Sequence, residues 1–191
     1  MYTDRIRKQI RQAWDDEARS GAFARLIRQQ LEHTGASAGD DSSTVADILD
    51  SWRAQLELIP ELFHNLRDAA EEAWIADGVE PVLAMAQHYF VDPDDVLPDR
   101  HGVLGLLDDM YLALSVIHAV SEAQRTRVGQ PLLDADLTDL IDAVRPLFTG
   151  QRLAALDARI EQSLARPELV RSLEQLADAR CLLCVRERQA A

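Results

Sequence analysis

The stretch "DDVLPDRHGVLGLLDDMYLALSVIHAV", residues 94–120, decides the fold. Leu104, Leu107, Tyr111 and Leu114 recur at helical spacing on one side, and Leu106, Met110, Ala113, Ile117 and Val120 on another. Apolar residues therefore cover most of the circumference of one helix at about 103–121, and such a helix belongs inside a core. Asp108 and Asp109 enter that helix. An isolated carboxylate there would pay a heavy desolvation cost, so the two must be paired, hydrogen-bonded, protonated, at the rim or metal-bound.

On either side of this helix the same three-and-four spacing continues. Thr3 is placed to cap a helix carrying Ile6, Ile10 and Trp14, which Phe23, Leu26, Ile27 and Leu31 extend or follow as a second helix ending at Gly35. "GASAGDDSS" at 35–43 is the clearest loop, with Ser42 or Ser43 placed to cap a helix through Val45, Ile48, Leu49, Trp52 and Leu56. Pro60 is expected to start a separate helix through Leu62, Phe63, Leu66 and Trp74 that Gly78 closes, and Pro81 to sit in the first turn of the next. Residues 121–131 read as a polar helix end and linker. Three more stripes follow: Leu137 to Leu147, Leu153 to Leu164, and Leu169 to Leu183 with Pro167 at its start. The acidic runs "WDDEARS" and "DAAEEAW" read as solvated faces. The expectation is an all-α, single-domain bundle over 1–191, with eight or nine helices around the central one.

Composition agrees with that class. The 191 residues are 47% hydrophobic but only 5% aromatic, with 8 Gly and 7 Pro, so Leu and Ala supply the apolar content and unbranched chains favour helix. A net charge of −13 excludes nucleic-acid phosphate as a partner, because its neutralisation needs clustered cations. The N-terminal stretch lacks the apolar core of a secretory signal, which makes the cytoplasm the expected location. The apolar run from Met110 to Val120 is shorter than the roughly 20 residues of a membrane span. Cys181 and Cys184 form a lone C-x-x-C that falls on a helical stripe with Val170, Leu173 and Ala177, so they read as core thiols rather than zinc ligands.

Asp95, Pro98, Asp99, Gly105, Asp108 and Asp109 fill the pattern Asp-x-x-Pro-Asp, five residues, Gly-x-x-Asp-Asp. In this the segment at about 84–122 resembles the YkvA-like family. The sequence departs from the family's usual pattern at "RHG", residues 100–102, where an apolar pair and a proline are usual. The resemblance implies a small, mostly bacterial helical module without an agreed function, some members of which carry membrane segments.

Two roles are open to Asp95, Asp99, Asp108 and Asp109. As braces, they would cap helix starts and accept bonds from backbone N–H groups or from Arg100, with no cofactor. As a hard-cation site, they would hold Mg²⁺ or Mn²⁺ and could support phosphoester hydrolysis. No nucleophile–base pair is visible, so the preferred reading is a non-enzymatic soluble module that associates with itself, as a homodimer, or with another protein. A metal-dependent hydrolase and a peripheral membrane module are the alternatives.

Overall fold

The computed structural model describes residues 2–33, 41–91, 99–148 and 150–175, without side-chain detail at 33, 41–43 and 99–101. Seven α-helices run in chain order: α1 (Tyr2–Ser20), α2 (Ala22–His33), α3 (Asp41–Glu72), α4 (Ala76–Val91), α5 (Leu107–Val128), α6 (Thr138–Val144) and α7 (Gly150–Leu164). A further helical segment, α8, occupies 167–175, and 3-10 segments precede α5 (Asp99–Leu106) and follow α6 (Arg145–Leu147). Among the described residues there is no strand, and the fold is all-α.

Residues fall into two compact units, 1–60 with 88–110 and 61–87 with 111–191. Ile6, Ile10, Phe23, Leu56, Ile59, Phe90, Val103, Leu106 and Met110 are core residues of the first. The second buries Phe63, Leu66, Leu83, Tyr111, Leu114, Ile117, Val144, Leu156, Leu169 and Leu173. From Leu106 to Ile117 every residue is buried, so α5 has no solvent face over its first three turns. The helix expected to begin at about 103 instead has a 3-10 prelude, and its polar end extends to Val128, where Gly129 at φ 79° terminates it. With that prelude, residues 102–128 are long and apolar enough to cross a membrane, contrary to the estimate from Met110–Val120 alone. Yet 83% of the most apolar window is already buried by protein.

Several boundaries differ from the sequence reading. Thr3 lies inside α1 rather than before it, and α3 begins at Asp41, ahead of both candidate cap serines. Pro60 does not start a helix; it lies within the 32 residues of α3. An internal proline costs about 3 kcal/mol, but Leu56, Ile59, Phe63 and Leu66 on either side of it are all buried, each contributing roughly 1.5–3 kcal/mol. Burial wins, and the helix continues. Pro81 likewise sits inside α4, deeper than its first turn. Gly78 closes nothing: it is buried within α4, where a Cβ would lie 2.5 Å from Ser172 Oγ and 2.8 Å from the Glu168 carbonyl oxygen. The missing side chain is what lets α4 and α8 approach so closely.

α3 ends instead at Glu72 and is capped through Trp74. The Ile75 N–H donates to Ala70 O (2.9 Å) and the Trp74 N–H to Glu71 O (3.1 Å), a Schellman cap with Trp74 in the left-handed position at φ 61°. Glycine is the usual occupant there, and a side chain costs about 1–2 kcal/mol. Trp74→Gly is therefore expected to raise stability by roughly 1 kcal/mol. Urea denaturation checks it; a lowered midpoint would show that the indole makes stabilising contacts.

Candidate functional site

Three segments of the first unit meet around the motif. The last turn of α1 and the first of α2 are separated by Gly21 alone, at φ 59°, whose N–H donates to Glu17 O (2.7 Å) and whose carbonyl accepts from Arg25 N–H (3.1 Å). One residue thus ends one helix and starts the next. The Ala22 N–H reaches Ser20 Oγ at a long 3.4 Å, which leaves the next N–H groups of α2 in need of an acceptor. Glu17 supplies it: Oε2 accepts from Phe23 N–H (2.9 Å) and Oε1 from Ala24 N–H (3.0 Å), and the residue is only 5% exposed. The negative charge also faces the positive end of α2. Glu17 departs from the solvated face expected of "WDDEARS" because it falls on the buried stripe of Ile6, Ile10 and Ala13. Trp52 packs edge-on against Phe23 at 5.8 Å, and the Arg53 guanidinium lies 5.7 Å from the Trp14 ring centre.

The 3-10 segment before α5 packs on this junction. Gly102 has φ 61°, and a Cβ there would lie 3.3 Å from Ala13 O and 3.5 Å from Glu17 N. The position that departs from the family pattern is thus a left-handed residue pressed against the α1 backbone. Gln9, Gln12, Ala13, Asp16, Gly102 and Leu106 line a small cavity of about 140 Å³ beside it, of mixed polar and apolar lining.

Asp108 and Asp109 follow in the first turn of α5, 0% and 1% exposed, and both are engaged in interactions. This is where a helix best tolerates a buried carboxylate, because the dipole and the leading N–H groups favour negative charge. Asp95 and Pro98 lie outside the described residues, as do the side chains of Asp99, Arg100 and His101; Asp99 is the first residue of the 3-10 segment. Among the described residues, no group of three or more His, Cys, Asp or Glu is placed to hold a metal ion. Cys181 and Cys184 also fall outside them.

The next turn of α5 belongs to the second unit. The Tyr111 hydroxyl donates to Asp157 Oδ1 (2.6 Å), Arg145 Nη2 donates to Asp157 Oδ2 (3.2 Å), and Phe148 packs edge-on against the Tyr111 ring at 5.6 Å. Read from the sequence, Tyr111 was one more apolar position; its partners lie far along the chain, and no local spacing announces them. Burial, followed by the Asp157 hydrogen bond and charge, pushes the phenol up to about 12. Folding favours the neutral form, so this contribution to stability is complete below pH ~10 and is lost as the pH rises from there through about 12. Ultraviolet titration should show a late tyrosine ionisation that Tyr111→Phe removes. A late step that persists in Tyr111→Phe, or no late step at all, would contradict the placement.

No curated protein and no solved structure matches the chain. Residues 82–114, from α4 through the first two turns of α5, match the model of a family described as "Protein of unknown function (DUF1232)", the YkvA-type family that the motif resembles.

Proposed function

We propose that the protein is a non-enzymatic helical module acting through association with a protein partner, and that the motif aspartates are structural braces. One observation carries this: Asp108 and Asp109 are enclosed in the first turn of a helix that is itself core, away from any substrate in solution. A brace needs burial and helix-end geometry, and both are there. A hydrolytic centre needs an open ligand position and a cleft to receive an ester. Helices α3, α4 and α5 each contribute residues to both compact units, so we read the chain as one cooperative folding domain.

Single alanine substitutions test the brace. Asp108→Ala and Asp109→Ala are each expected to lower unfolding free energy by roughly 1–3 kcal/mol, the usual cost of stranding a buried partner. Urea denaturation in excess EDTA reads this directly. Variants as stable as the wild type would remove the structural role.

A further inference from the structure

We propose that the corner between α3 and α4 is a docking site for an arginine- or lysine-rich segment of a partner protein, held by Trp74 and by the acidic groove that its sequence neighbours line. This rests on the reading that the protein acts by association, and it names the surface and the chemistry of the partner. Trp74 is 92% exposed on a backbone conformation that disfavours any side chain, so neither local folding nor packing in the described fold accounts for it. A strained, solvated tryptophan is what a hot spot looks like before its partner arrives.

The residues flanking it in sequence line a groove of about 330 Å³. Its floor is apolar: Ala70, Val79 and Leu83 are all buried. Its polar lining sets three carboxylates, Glu71, Asp77 and Glu80, against one guanidinium, Arg67. Arg67 is already engaged by Glu80 through Nε (2.9 Å) and Nη2 (3.2 Å), a fork that holds the guanidinium pKa above its usual value. The groove is therefore net negative, on a chain of net charge −13. A second copy would bring acid against acid. A cationic side chain fits the groove: its alkyl stem covers the apolar floor and its head group meets Glu71 and Asp77, while the exposed Trp74, three residues from each in sequence, offers its indole to another cation of the same segment.

The test uses the full-length protein and a fluorescein-labelled synthetic peptide of alternating arginine and alanine, read by fluorescence anisotropy near physiological ionic strength. Binding is expected, weakened about tenfold by Trp74→Ala and by Glu71→Gln, and lost when glutamine replaces arginine in the peptide. Trp74→Gly, which should fold at least as stably, must weaken binding as Trp74→Ala does. On titration the Trp74 indole N–H resonance should shift while those of Trp14 and Trp52 stay. Three results would overturn the site: no binding by the wild type, binding indifferent to Trp74 and so owed to net charge alone, or self-association that Trp74→Ala abolishes. Any of them would leave the association reading in place, because that reading falls on a different result, ion-dependent stability at Asp108 and Asp109.

Discussion

Gly78→Ala is expected to destabilise the protein by roughly 1–3 kcal/mol, the usual cost of overpacking, and Gly78→Val by more. The sign is the informative part. In an exposed helix interior the alanine change gains about 1 kcal/mol, because alanine is the better helix former. At Gly78 the added carbon would lie 2.7 Å from Ser172 Cβ and 2.8 Å from the Glu168 carbonyl. The hydroxyl could rotate away. The backbone carbonyl could not, so α8 would have to retreat and leave Leu169 and Leu173, both buried, with poorer packing. Urea midpoints for the two variants check this. An alanine variant more stable than the wild type would show that α4 and α8 are not in close contact.

The second large effect is at Glu17. Glu17→Ala is expected to cost about 2–4 kcal/mol, since it removes two charge-assisted bonds and leaves the Phe23 and Ala24 N–H groups buried without their acceptor. Glu17→Gln keeps one amide oxygen as acceptor but places an NH₂ against the other donor, so an intermediate loss is expected. Hydrogen exchange localises the effect: the first-turn amides of α2 should lose protection more than those of α3. Uniform loss across both helices would mean that Glu17 supports the unit generally rather than capping α2.

These two residues also show what the sequence could and could not reveal. Every helix registers locally as an apolar stripe, because burial of one face is a property of consecutive residues; so the all-α class, the core character of α5 and the start of α8 at Pro167 could all be read in advance. Boundaries depend on more. Pro60 and Pro81 carry strong local stop signals, yet each lies in a helix whose flanking side chains are buried. Gly78 has the local look of a terminator, while its role is set by α8, some ninety residues further along the chain. The motif was fully legible as a pattern, but the spacing started the helix at about 103, and it is the 3-10 prelude that puts Asp108 and Asp109 in the first turn of α5. What surrounds it was not: Glu17 and Gly102 meet only because α1 folds onto the 3-10 segment, and the Tyr111–Asp157–Arg145 cluster joins three helical segments.

We propose that Asp108 and Asp109 brace a helix and hold no ion. Calorimetric melts of the wild type, Asp108→Ala and Asp109→Ala, each with and without added Mn²⁺, test it most directly. A ligand that binds only the folded state raises the melting temperature by mass action. Both variants are expected to melt lower than the wild type, and Mn²⁺ to shift all three proteins alike or not at all. A rise of several degrees in the wild type that both substitutions abolish would contradict it, and would make the two aspartates ligands of a metal centre.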